Sequence, residues 1–241
     1  MSGSSRPSRR SVLTTALAVA VAGHASGPRG WAAPSRPGDL TPLERRERGR
    51  LLSVISKTRP ISPPDYAPTD LVPWRGGPFE LRAEVVGQLE ALFEAAEDHG
   101  IGLRVVSGYR SFDTQAGTYE WWVRHHGQAS ADARSARPGH SEHQTGLAVD
   151  LDDLVGGCYL KACFGQTDAG QWLARQGHRF GFVVSFPPGT QDRTGFAYEP
   201  WHLRYVGPAA AGAMHTLGIR LLEDYVRAHG RGAAIAVHLG G

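Results

Sequence analysis

Pro138-Gly139-His140-Ser141-Glu142-His143-Gln144-Thr145-Gly146-Leu147-Ala148-Val149-Asp150 is the densest run of potentially reactive side chains in the sequence. Its end, Ala148 to Leu151, reads as a strand. A second group, Tyr198-Glu199-Pro200-Trp201-His202-Leu203-Arg204-Tyr205, follows about fifty residues later. Together they supply two histidines and a carboxylate, His143, Asp150 and His202, with Glu199 as a spare carboxylate. A catalytic zinc site uses this inventory: three protein ligands and a fourth position left to water. The metal lowers the pKa of that water towards about 7, and a nearby carboxylate then removes its proton. By spacing alone, the two groups read equally as a metal triad or as polar strand ends with satisfied hydrogen bonds. Glu199 and His202 would lie on opposite faces of a regular strand, so a shared metal requires the chain to bend there. Pro200 suits such a bend.

Outward from this run, the periodicity is mixed. Val85, Leu89, Leu92, Phe93 and Ala96 recur at helical spacing before a stop at Gly100. Leu103 to Ser107 reads as a buried strand, and Ser111 as the cap of a helix running to His126 and ended by Gly127. Thr167 or Asp168 caps another helix that ends before Gly177. Phe182 to Phe186 and Trp201 to Val206 read as strands, and one or two helices follow Gly207-Pro208. Helices and strands intersperse without a regular alternation, which makes the fold α+β rather than a doubly wound sheet. A charged helical stretch is expected at about Pro42 to Ser56. The proline-rich segment Arg59 to Pro68 reads as an extended arm over the domain that follows.

The chain of 241 residues, 41% hydrophobic and 20% charged, has the composition of a soluble globular protein. Its formal charge of +3 and pI of about 9.1 suggest a nucleic-acid partner until the charges are located. Residues 1–33 hold Arg6, Arg9, Arg10 and Arg29 and no acid. Without those four arginines, 22 basic side chains face 23 acidic ones, a balance of about −1. The basic excess belongs to the leader, and nucleic acid is not an expected partner. Ser8-Arg9-Arg10-Ser11-Val12-Leu13 followed by an apolar run to about Ala22 reads as a twin-arginine-like export signal, too short to span a bilayer comfortably. An ordinary secretion signal and an uncleaved anchor are the alternatives. Cys158 and Cys163, an even and closely spaced pair in an exported chain, read as a disulfide.

The run Ser107-Gly108-Tyr109-Arg110-Ser111, the Ser-x-His-x2-Gly-x-Ala-x-Asp run from Ser141 to Asp150, and Glu199-Pro200-Trp201-His202 together resemble the vancomycin-resistance-type zinc D-alanyl-D-alanine carboxypeptidases. That family includes L,D-carboxypeptidase and D-Ala-D-Ala dipeptidase relatives. The resemblance extends from about Leu51 to about His229. It implies a single small zinc-peptidase domain, with a central, mainly antiparallel sheet flanked by helices and one Zn2+ held by His143, Asp150 and His202. It further implies Glu199 as the general base, Arg110 as the partner of the developing oxyanion, and Gln115 and Ser141 as contacts to a peptidoglycan stem peptide. Trp201 reads as a pocket wall or a core residue. Glu142 and Asp152 read either as groups orienting a ligand histidine or as solvated charges. The expected organisation is an export signal at 1–33, a Pro/Arg-rich arm at 34–75, the catalytic domain at 76–230 and a flexible tail at 231–241, in a monomer. The reaction implied is hydrolysis of the terminal D-Ala-D-Ala bond. An L,D-carboxypeptidase or endopeptidase on the same fold is the near alternative, and a non-catalytic wall-binding module or an iron oxygenase the distant ones.

Overall fold

A four-stranded antiparallel sheet carries the site. The computed structural model describes residues 50–236, so the export signal lies outside the described residues. The sheet strands are β3 (Leu103–Ser107), β4 (Ala148–Asp153), β5 (Phe182–Val184) and β6 (His202–Tyr205), in the order β3-β4-β6-β5. A separate hairpin pairs β1 (Leu71–Pro73) with β2 (Glu80–Arg82). Seven helices are found among the described residues: α1 (Ala83–Glu97), α2 (Phe112–His126), α3 (Gln128–Arg134), α4 (Asp168–Gln176), the single turn α5 (Gln191–Thr194), α6 (Pro208–Thr216) and α7 (Leu222–Ala236).

The alternation of β4 and β6 sorts the two faces of the sheet. Val149, Leu151, Leu203 and Tyr205 enter the main apolar core, together with the stripe Val85, Leu89, Leu92, Phe93 and Ala96 of α1. Each valine, leucine and phenylalanine among them contributes about 1.5–3 kcal/mol through burial. The intervening residues Asp150, His202 and Arg204 take the other face, as a period of two requires. Asp150 stands directly across from His202, and Ala148 across from Arg204. The apolar core thus fixes the height and direction of the polar groups on its far side.

Helix α2 starts where Ser111 caps Thr114 N–H and stops at Gly127; α4 starts where the Thr167 hydroxyl accepts from Gly170 N–H. The strands expected at 182–186 and 201–206 are each shorter at their ends. Arg50 to Ser56 forms a turn and extended chain rather than the end of a helix, with Ser53 bonding back to the Arg50 carbonyl. Helix α7 runs to Ala236, so the first six residues of the expected tail are helical, in keeping with its alanines. The arm packs on the domain. Ile61 N–H donates to the Gly139 carbonyl, and Arg204 donates to the carbonyls of Arg50, Leu51 and Ser53.

Candidate metal centre

Three elements bring the expected ligands together. A 3₁₀ turn (Glu142–Thr145) carries His143, while β4 carries Asp150 and β6 begins at His202. One donor atom from each lies within 4.8 Å of the others, and all three residues are buried. Each ring is oriented by its second nitrogen. His143 Nδ1 donates to the Gly108 carbonyl at 2.7 Å, which leaves Nε2 facing Asp150 Oδ2 at 3.2 Å. His202 Nε2 donates to Glu142 Oε2 at 2.9 Å, which leaves Nδ1 facing Asp150 Oδ1 at 3.0 Å. Ligands on a tetrahedral zinc at about 2.0–2.2 Å are themselves separated by roughly 3.3–3.6 Å, close to the 3.2 and 3.0 Å between Asp150 and the two rings, so this donor set fits that ion. Gly108 is needed where it stands, because a Cβ there would meet the Glu80 carbonyl oxygen at 2.5 Å. Gly146 ends the 3₁₀ turn at φ +66°, a conformation that side-chain-bearing residues disfavour.

Glu142 is buried, not solvated. It receives His202, Arg204 Nη1 at 3.2 Å and Ser185 Oγ at 2.5 Å. Burial pushes its carboxyl up, but the charges of Arg204 and His202 outweigh burial and hold it well below the usual carboxylate range. Burial likewise opposes charge on His202, yet its hydrogen bonds to Asp150 and Glu142 prevail and lift it to about 10. In the metal-free protein this ring is an imidazolium between two carboxylates, and metal uptake must displace its Nδ1 proton. For His143 burial dominates and the pKa falls. Asp152 is buried too, but it serves the sheet by pairing with Arg104 at 2.5 Å.

Glu199 sits in a turn that closes when His202 N–H donates to the Glu199 carbonyl at 3.1 Å. This turn supplies the bend that Pro200 suggested and lets both side chains face one space. Burial raises the Glu199 carboxyl to about 7, within reach of proton exchange at neutral pH. Arg110 follows β3, with its backbone N–H on the His143 carbonyl at 3.3 Å. Its guanidinium donates to Gln115 Oε1 at 2.9 Å and to Ser107 Oγ at 3.2 Å. Burial lowers its pKa, while the charges of Asp150 and Glu199 pull it back up.

A cavity of about 400 Å3 is lined by Arg110, Ser141, His143, Asp150, Glu199, Trp201 and His202. Gln115, expected against the substrate, is placed elsewhere. It is wholly buried behind Arg110, with its amide nitrogen on Ser135 Oγ and the Ala136 carbonyl, so it holds the guanidinium and does not line the cavity. Trp201 serves both expected roles, lining the cavity and packing against the core. Cys158 and Cys163 are bonded, and the loop they close places Leu160 in the cavity wall.

Two further features had no clear signal in the sequence. Ile55, from the arm, lines the cavity. Lys57 donates to the carbonyls of Asp132 and Gly195, and its ammonium lies 4.2 Å from the centre of the Phe196 ring. One side chain thereby ties α3 to the chain just after α5, and both segments wall the cavity. Its position in a proline-rich arm gave no hint of this, although Lys57 is one of only two lysines in the chain.

The family described as VanY, D-alanyl-D-alanine carboxypeptidase, matches residues 78–208. The putative carboxypeptidase YodJ of Bacillus subtilis (strain 168) is 38% identical over 183 residues, which cover 73% of this chain. The matched stretch spans 66% of that relative's length. The LdcB LD-carboxypeptidase structure superposes with a TM-score of 0.69 at 35% identity, covering 75% of this chain and 87% of that one. The vancomycin resistance D,D-pentapeptidase VanY in complex with Zn(II) superposes with a TM-score of 0.62 at 31% identity, covering 73% and 98%. The fold, the ordered motifs and these matches together place the chain in the VanY family of D-alanyl-D-alanine carboxypeptidases.

Proposed function

We propose that the protein is an exported zinc carboxypeptidase that removes the terminal D-alanine from peptidoglycan stem peptides ending in D-Ala-D-Ala. The observation that carries this reading is the convergence of His143, Asp150, His202, Glu199 and Arg110 on one cavity. His143, Asp150 and His202 would hold the metal. Bound zinc supplies a water acidified towards neutrality and a Lewis acid for the scissile carbonyl. Glu199 accepts the proton of the attacking water and hands it to the departing amine, a role suited to a carboxyl that burial raises to about 7. Arg110, fixed by Gln115 and Ser107, faces the negative charge that develops on the carbonyl oxygen. Ser141 and Trp201 line the cavity where the peptide lies.

Stem peptides lie outside the cytoplasmic membrane, which agrees with the signal-like leader. Among the described residues, no helix is long and apolar enough to cross a membrane. The test is release of D-alanine from a pentapeptide ending in D-Ala-D-Ala by the zinc-loaded protein. Absence of release, with cleavage at another bond, refutes the assignment. The similarity to an LD-carboxypeptidase supports a second reading, cleavage after the third residue of a tetrapeptide. The same assay on a tetrapeptide separates the two.

A further inference from the structure

The cavity extends beyond the reacting groups, and its outer part has a simple chemistry. Ile55, Leu160 and Phe196 make its walls apolar. Besides Arg110 at the reacting end, one more guanidinium lines the cavity, that of Arg134 from the last turn of α3, while the Lys57 ammonium sits against the Phe196 ring and is held by two carbonyls. Its guanidinium lies over the Trp122 ring, 5.8 Å from the centroid, and both residues line the cavity. Arg134 is exposed, and no carboxylate among the described residues pairs with it. The acid of its own helix, Asp132, is already used by Arg137 at 2.9 Å and by the Tyr119 hydroxyl at 2.7 Å.

The distance from the chemistry can be read along α2. Gln115 touches Arg110 at the reacting end, whereas Trp122 stands seven residues later. A rise of 1.5 Å per residue separates them by about 10 Å. An extended peptide covers that length in about three residues. A carboxypeptidase leaves only one residue beyond the scissile bond, so the terminal carboxylate stays near the reacting end. The backbone of Arg134 adjoins Ser135, which receives Gln115, and it is the guanidinium, reaching over Trp122, that falls on the amino-terminal side of the bond.

We propose that Arg134, laid on Trp122, binds a carboxylate of the substrate about three residues before the scissile bond. A guanidinium presents a planar fork that matches a carboxylate, and apolar walls strengthen the pair relative to open solvent. Stem peptides offer such a group in the γ-linked glutamate, whose remaining carboxyl is free in some walls and amidated in others. This inference rests on the carboxypeptidase reading and sharpens it: the enzyme prefers stems with the free acid.

The experiment compares two pentapeptides ending in D-Ala-D-Ala, identical except for a free or amidated glutamate carboxyl. Their binding is measured calorimetrically on zinc-loaded Glu199→Gln protein, with and without Arg134→Gln. Turnover is measured in parallel on the otherwise unmodified protein. Glu199→Gln protein should bind the free acid about five- to tenfold more tightly, with the preference shrinking as salt rises. Arg134→Gln should bring the ratio to about one, and Arg134→Lys should retain part of it. Equal binding of both peptides by the parent protein overturns the proposal, as does an Arg134→Gln variant that keeps the ratio. Arg134→Gln weakening a short D-Ala-D-Ala peptide without glutamate by the same factor also overturns it, assigning the cation to the terminal carboxylate. A binding preference without D-alanine release would instead sink the carboxypeptidase reading and leave the acid subsite standing.

Discussion

Replacing Glu142 by glutamine tests how the metal centre is built. The side chain keeps its shape and loses its charge. In the native protein Glu142 takes three donors, from His202, Arg204 and Ser185. Arg204 is wholly buried, and Glu142 is its ion-pair partner. Breaking a buried pair by removing one charge costs about 3–5 kcal/mol, because the remaining charge stays desolvated. The four carbonyl acceptors of Arg204 soften this loss, which places the expectation near the lower end, about 3 kcal/mol. At roughly 2–4 °C per kcal/mol for a domain of this size, the melting temperature of the metal-free protein should fall by about 6–12 °C. A second consequence concerns zinc. Glu142 accepts from the nitrogen of His202 that does not face the metal, and losing such a partner weakens metal binding about 10–100-fold. Calorimetric unfolding of the metal-free protein and competition against a chromophoric zinc chelator measure the two effects separately. A variant that binds zinc within twofold of the native protein refutes the orienting role, whatever its melting temperature.

Glu199→Gln should retain zinc and lose about 10²–10⁴-fold in kcat, measured as D-alanine release; full turnover would remove Glu199 from the base role. Zinc affinity should rise with pH from 6 to 8, because His202, lifted to about 10 without metal, must give up a proton for each ion bound. The same shift fixes a stability sign. A histidine with a raised folded-state pKa contributes stability that is complete below its unfolded value of about 6.5 and is lost as pH rises through about 10. The metal-free protein should therefore melt at progressively lower temperature across that interval, read by scanning calorimetry. Lys57→Met should speed amide hydrogen exchange in residues 128–139 and 190–197 together, since α3 and the chain after α5 lose one shared anchor; an effect on one segment alone would contradict the clamp. Gly108→Ala should destabilise the protein by about 2 kcal/mol or more and weaken zinc binding, because a Cβ 2.5 Å from the Glu80 carbonyl must displace the carbonyl that orients His143.

The sequence by itself determined the α+β elements and the residue types of the centre. Periodicity marked α1 because its core contact repeats along the chain at 3.6 residues, and Ser111, Thr167 and Gly127 marked helix ends through local hydrogen bonding and backbone freedom. The ordered motifs marked His143, Asp150, His202, Glu199 and Arg110 because each chemical role tolerates few side chains. Only tertiary structure decided what surrounds them. Gln115 stands behind Arg110 because the packing of α2 against residues 135–136 uses its amide, a contact across about twenty residues that no local pattern records. Glu142 reads locally as one acid among many, and becomes a positioning group only when β6 brings His202 and Arg204 to it across about sixty residues. Lys57 clamps α3 to the chain after α5, and Arg134, without a carboxylate partner among the described residues, lines the same cavity, through contacts equally distant in the chain or dependent on their neighbours' partners. Local spacing records helical and strand periods because adjacent residues share one backbone geometry. The partners of a buried charge are set by the crossing of separate elements, and that information appears only once the chain has folded.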